Sequence, residues 1–209
     1  QEKRQSVVAV LRKPVLLKLA VPQLLTGFGA AILIPYINVF FSERFQFSDQ
    51  SLGLLFSLSA LLTGIGTVIG PRLALLLRSK VGTVVLTQSV SLVFLVLMGF
   101  TGVPWLAAVG YLVRGTAMNM GHPLLNTFSM EQFEAGEQGT ANSVFNLAWT
   151  SGWAIGPYIS GIVQQRYGFQ PLFITTTILY ALAISLTWLF FYKMEQQITP
   201  EAALPAVGE

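Results

Sequence analysis

The chain has 209 residues, 53% of them hydrophobic and only 10% charged, with a formal net charge of +3 and no cysteine. Water-soluble domains carry about 25% charged residues, so this chain has too little polar surface to face water all round. Disulfides and thiolate sites are excluded outright.

Residues 1–13 are polar and basic, and no small-residue cleavage site follows the first hydrophobic run, so no removable signal is expected there. Six hydrophobic stretches then reach the roughly 20 residues needed to cross a bilayer. They run over residues 15–41, 52–77, 84–100, 104–128, 140–163 and 171–192. The third is the shortest, and the first and fourth are interrupted by Pro22, Pro35 and Pro123. Helices are the expected form, because a lipid-facing backbone must satisfy its own hydrogen bonds. The strict alternation of β-barrel strands is absent. Residues 195–209, with Pro200 and Pro205, read as a loose polar tail. The expectation is an all-α membrane protein with six transmembrane helices.

The loops set the orientation. With a cytoplasmic amino terminus, Lys3, Arg4, Arg12, Lys13, Lys18, Arg72, Arg78, Lys80 and Lys193 lie inside, against Arg44 and Arg166 outside. That bias places both termini in the cytoplasm of a cell or inner membrane. One inner loop dissents, carrying Glu131, Glu134 and Glu137 without a base. Acids weigh little in this rule.

The chain also resembles itself. "PYINVFFSERFQFSDQ" (35–50) aligns with "PLLNTFSMEQFEAGEQ" (123–138) at an offset of 88, matching Pro35 with Pro123, Asn38 with Asn126 and Glu43 with Glu131. Further on the offset becomes 86, pairing Gly66 with Gly152, Gly70 with Gly156, Pro71 with Pro157 and Gly82 with Gly168. The offset spans three helices, an odd number, so the second copy enters the membrane from the opposite side. Two inverted three-helix repeats are a hallmark of certain secondary transporters. Each shared feature also has a local reason. Gly66 and Gly70, like Gly152 and Gly156, have the spacing that lets membrane helices pack closely. Pro71 and Pro157 are expected to bend or open their helices.

The segment "GWAIGPYISG" (152–161) resembles the glycine-proline motif of the major facilitator superfamily, in the fifth helix of a half. "RSKVG" (78–82) is similar to that family's basic-glycine loop between the second and third helices, with Ser79 where an acid would stand. "YLVRGTAMNMG" (111–121) is loosely similar to an arginine motif of the fourth helix, without its glutamine-glycine step. The resemblance covers residues 15–192 and implies the carboxy-terminal six-helix half of a twelve-helix transporter. It implies that residues 1–14 are a cytoplasmic linker segment, 15–192 the transporter half and 193–209 a cytoplasmic tail. It also implies an amino-terminal six-helix half as partner, a cavity lined by helices one and four, and a seam formed by helices two and five.

Arg114 lies ten residues beyond Pro104, which is about 15 Å of helix and near the midplane of a ~30 Å hydrocarbon core. An arginine there costs roughly 3 kcal/mol and usually faces a cavity or a partner. Contact with a solute, an ion pair with the other half, and snorkelling to an interface all stay open. Gly115, Asn119, His122 and Asn126 form a stripe beside it. Asn119 suits a solute or a neighbouring helix. His122 suits proton transfer or a neutral bond within the bundle. In the first span Gln23, Thr26 and Asn38 are the polar candidates, and in the fifth Asn142, Asn146, Trp149 and Trp153 share one spacing. A partly apolar solute or a tight helix seam explains the latter equally well.

Other classes find less support. An intramembrane protease would need Gly-x-Ser-Gly and a later histidine, and the single histidine has no such companion. A metal site has neither cysteine nor intramembrane acids to draw on, and a G-x-x-x-x-G-K-S/T phosphate loop is absent. No cofactor, metal, nucleic-acid partner or catalysis is expected. A non-transporting structural or regulatory membrane subunit is the main rival. The expectation is a transporter domain in the lipid bilayer, moving a small organic solute by alternating access. An anionic or amphipathic solute is favoured because Arg114 is the sole charge expected in the cavity.

Overall fold

The structure is a computed structural model and describes residues 7–198. Linker residues 1–6 with Lys3 and Arg4, tail residues 199–209, and the side chain of Lys193 lie outside the described residues. The described chain is helical throughout: α1 Val7–Leu11, α2 Pro14–Leu33, α3 Ile37–Phe45, α4 Asp49–Leu77, α5 Lys80–Phe100, α6 Pro104–Met120, α7 His122–Glu131, α8 Gln138–Tyr167 and α9 Gln170–Ile198.

The two interrupted stretches break where proline dictates. Pro35 has no N–H to continue an α-helical ladder, and the backbone tightens into a 3-10 turn, Ile34–Tyr36, between α2 and α3. Ahead of Pro123, α6 stops at Met120, and α7 restarts at His122 after Gly121. Pro22, expected to interrupt the first stretch, is instead carried inside α2, as Pro71 and Pro157 are inside α4 and α8, all helical on both sides. Ser48 and Ser79 cap α4 and α5, accepting from the N–H of Ser51 and Gly82 respectively. The Ser79 cap starts α5 at Lys80, ahead of the stretch that hydropathy marks from residue 84.

Among the described residues, four helices are long and apolar enough to cross a membrane: Pro14–Phe45, counting α2 to α3 as one, Asp49–Leu77, Lys80–Phe100 and Gln170–Tyr192. The fourth and fifth stretches form helices but miss that measure. The Gly121 break limits α6 to 17 residues, and α8 is diluted by Asn142, Ser143, Asn146 and Thr150. Leucines 54, 75 and 76 of α4 are 71 to 80% exposed, and only 17% of its apolar window is buried. So large an apolar face needs lipid or another protein surface.

Two large apolar clusters and a small third one, of Ala74, Val84 and Leu124, hold the bundle. One large cluster gathers Leu33, Phe40, Phe41, Leu95, Met98 and Phe173, and the other Leu19, Val81, Phe128, Phe145 and Phe191. Along α2, α5 and α9 the residues between the clusters include the buried Thr26, Gln88, Ser91 and Thr187, so a polar layer separates them. Glycines set two close helix seams. A Cβ on Gly66 would meet Thr116 and Met120, and one on Gly70 would strike the Met120 backbone, drawing α4 onto α6. Gly152 meets the Phe28 backbone and Gly156 meets Ala31, drawing α8 onto α2.

The dissenting acidic loop has a physical account at the end of the bundle that the charge pattern places inside. Lys80 reaches Glu131 at 2.5 Å, and Lys13 lies 2.5 Å and 2.6 Å from the two Glu137 oxygens. The exposed Lys80 pair contributes ~0–1 kcal/mol at most, whereas the Glu137 side chain is fully shielded. The stretch expected as tail also differs. Helix α9 runs on to Ile198 because Glu195 caps α5, accepting from Ser79 Oγ at 2.5 Å and from the Val81 N–H at 3.0 Å. A carboxylate from the last helix thus stands beside Ser79, where the resemblance leads one to look for an acid.

The Lys13 hydrogen bond holds the Glu137 carboxyl below its ordinary pKa, against burial, with help from the Glu134 N–H. A glutamate so lowered contributes stability above its unfolded pKa of ~4.3, and loses it as pH falls through the lower folded value. Glu137→Gln should therefore reduce the melting temperature near neutral pH, and the gap from wild type should narrow as pH falls below the ordinary glutamate range. Melting curves across that range check it; a gap that persists in acid would remove the ion pair as its cause.

Candidate functional site

Between the two apolar clusters lies a cavity of about 370 Å³. Its walls come from α2, α5, α7, α8 and α9, so residues far apart in the chain converge there. Gln23, Thr26, His122, Asn126, Asn142, Asn146 and Trp149, all candidates from the sequence, line it.

Local structure decides which polar atoms are free. Thr26 Oγ donates to the Pro22 carbonyl at 2.8 Å, and Thr187 Oγ to Ala183 at 2.9 Å, so these hydroxyl protons are bound within their own helices. The amides of Gln23, Gln88, Asn126, Asn142 and Asn146 make no hydrogen bond among the described residues. Each leaves two donors and one acceptor for whatever fills the space. His122 stands edge-to-face with Trp149, centroids 5.4 Å apart at 89°.

Gln88 and Thr187 are lining residues that the sequence reading missed. Gln88 is 6% exposed, and a glutamine so enclosed without a partner is unusual. Gln88 sits among Thr83, Thr87 and Ser91, polar residues at helical spacing in the same stretch, and that cluster was the available signal.

Three candidates lie elsewhere. Asn38 is exposed on α3, and Asn119 donates to the Gly115 carbonyl of its own helix at 2.8 Å. Arg114 is 5% exposed and is not among the lining residues. It donates to the Tyr180 hydroxyl at 2.9 Å, with the guanidinium 5.7 Å from that ring's centroid. Its carbonyl accepts from Ser91 Oγ at 2.9 Å, and its Nε has no partner among the described residues. The described acids, Glu43, Asp49, Glu131, Glu134, Glu137 and Glu195, all sit at helix ends or in loops. Of the packing residues, Pro157 has its carbonyl tied to Tyr36 Oη at 2.8 Å, and Pro71 is exposed. Among the described residues no group of His, Asp and Glu is arranged to hold a metal ion.

Residues 19–208 match the family model of the Major Facilitator Superfamily. The chain belongs to that superfamily. Members of the superfamily are transporters, and its membership together with the apolar helices makes this an integral membrane protein. The chain is 30% identical over 188 residues to the multidrug resistance protein MdtG of Yersinia enterocolitica, covering 82% of this chain and 42% of that protein. It is 26% identical over 195 residues to MdtG of Proteus mirabilis, covering 88% and 46% respectively. It is 25% identical over 115 residues to the uncharacterized MFS-type transporter YhhS of Escherichia coli, covering 55% and 28%. The chain thus spans less than half the length of these curated relatives.

Proposed function

We propose that this superfamily chain is the carboxy-terminal six-helix half of a transporter, moving a small amphipathic organic solute by alternating access. The observation that carries this reading is the cavity, with five unbonded amides and the Trp149 ring inside an otherwise apolar bundle. Amides bind the polar part of a solute and the indole its flat apolar part. The multidrug designation of the MdtG relatives supports the same class of solute. Arg114 lies outside the lining, so the ground for preferring an anion is weaker than the ground for an amphipathic solute.

In this reading α2–α3, α4 and α5 are one repeat, and α6–α7, α8 and α9 its inverted copy, together making six spans. The proline breaks at residues 34–36 and 121, and the reciprocal seams of α4 on α6 and α8 on α2, support it. Residues 1–14 are the cytoplasmic linker and 193–209 the cytoplasmic tail, with both termini inside. The missing amino-terminal half covers the open side of the cavity and packs against α4 and α8. The glycine-proline helices let the two halves rock. Arg114 is retained within the moving bundle, where a turn of α6 toward the cavity gives its free Nε a partner.

Dye flux across proteoliposomes tests the function. The chain reconstituted with its amino-terminal half should carry an amphipathic fluorescent dye faster than empty liposomes, and the chain alone should not. Robust flux from the chain alone would point to a self-sufficient oligomer. No flux with both halves present would favour the structural subunit.

A further inference from the structure

The described wall of the cavity is neutral except at one position. The five amides carry no charge at any working pH, and His122 is the sole ionisable side chain in the lining. It opens α7 directly after the Gly121 break and is exposed. Neither ring nitrogen makes a hydrogen bond among the described residues, and the recorded ring neighbour is Trp149. The elements facing it are equally free of charge. Helix α2 presents Gln23 and Thr26, α5 Gln88, α8 Asn142 and Asn146, and α9 Thr187. Arg114, the charged side chain deep in the bundle, is turned to Tyr180 and outside the lining.

We propose that His122 is the residue by which this cavity selects solute charge. With a neutral imidazole the wall accepts uncharged and cationic solutes. One proton taken from water by a ring nitrogen adds one positive charge, and the wall then draws anions and repels cations. An imidazole is the side chain whose ordinary titration spans physiological pH. A single charge in a concave, low-dielectric site changes local ion concentration more than it would at an open surface. The proposal rests on reading the cavity as the solute path, and it names the selectivity of that path.

Collisional quenching of Trp149 tests both and tells them apart. The chain is prepared with Trp105, Trp153 and Trp188 replaced by phenylalanine, without a histidine tag, in nanodiscs of zwitterionic lipid at constant ionic strength. Neutral acrylamide should quench Trp149 at every pH, reporting an open cavity. From pH ~8 to ~4.5, spanning imidazole titration, iodide quenching should rise on the order of several-fold and caesium quenching should fall. Both trends should vanish in His122→Gln. Acrylamide access with pH-independent iodide and caesium quenching overturns the selectivity while sparing the cavity. The same trends persisting in His122→Gln do so too. A Trp149 that acrylamide cannot reach overturns the cavity reading and this proposal with it. Should the tryptophan replacements unfold the chain, the lone imidazole resonance of histidine-labelled protein serves in their place, and its failure to titrate over that range rejects the proposal.

Discussion

Gly152→Val should lower the melting temperature of the purified protein by on the order of 10 °C. A Cβ at Gly152 would sit 2.7 Å from the Phe28 Cα and 2.8 Å from its backbone nitrogen. Backbone cannot yield as the end of a flexible side chain can, so α8 must lift off α2. Overpacking costs ~1–3 kcal/mol, occasionally more, and each kcal/mol moves the midpoint of a 150–250-residue protein by ~2–4 °C. Gly64→Val and Gly53→Val are the controls, because nothing lies within 4 Å of a Cβ at either position. Both should leave the midpoint almost unchanged. An equal loss at all three glycines would attribute the effect to helix flexibility rather than to the seam.

Arg114→Met should divide stability from transport. The guanidinium is 5% exposed, has Tyr180 as its side-chain hydrogen-bond partner and leaves Nε unbonded. Apolar replacement of a whole buried ion pair is often neutral or stabilising by ~1–4 kcal/mol, and Arg114 has no acidic partner among the described residues whose attraction would be lost. The variant should therefore melt at or above the wild-type temperature, yet lose flux when reconstituted with its partner half. Arg114→Lys keeps the charge and loses the planar fork, so it should gain no stability. A marked fall in the Arg114→Met midpoint would make the arginine a structural bolt to Tyr180. Unchanged flux in a stable variant would remove it from the transport cycle.

The fold was readable where single residues dictate backbone. Pro35 and Pro123 lack the N–H that a helix needs, and the chain breaks beside both. Ser79 was visible as a departure from the family pattern, but its consequence was not. The carboxylate that joins it comes from Glu195, 116 residues away, and only tertiary structure brings the two together. The acid-only inner loop likewise looked anomalous until Lys13 and Lys80 were seen to reach it.

The cavity was partly legible for a similar reason. Sequence spacing estimates depth in a membrane but not the direction a side chain faces. Gly115, Asn119, His122 and Asn126 form one stripe only on an unbroken helix. The helix assignment is interrupted at Gly121, and of that stripe His122 and Asn126 line the cavity while Asn119, in α6, does not and bonds its own backbone. Depth was likewise all that could be read for Arg114. Its turn toward α9 depends on Tyr180, which no local pattern marks. Gln88 escaped although Thr83, Thr87 and Ser91 accompany it at helical spacing, because serine and threonine in a helix can bond their own backbone instead of facing a cavity.

The central claim is that the polar cavity is a water-accessible solute path, and labelling with a membrane-impermeant reagent tests it most directly. The chain has no cysteine, so a thiol introduced at Asn146 is the sole target for a membrane-impermeant reagent. A thiol at Ile159, farther along the same helix, exposed and outside the lining, serves as the control. Asn146→Cys should be modified much faster than Ile159→Cys from one side of the membrane, read in inside-out and right-side-out vesicles. Modification of Asn146→Cys no faster than Ile159→Cys from either side would contradict it.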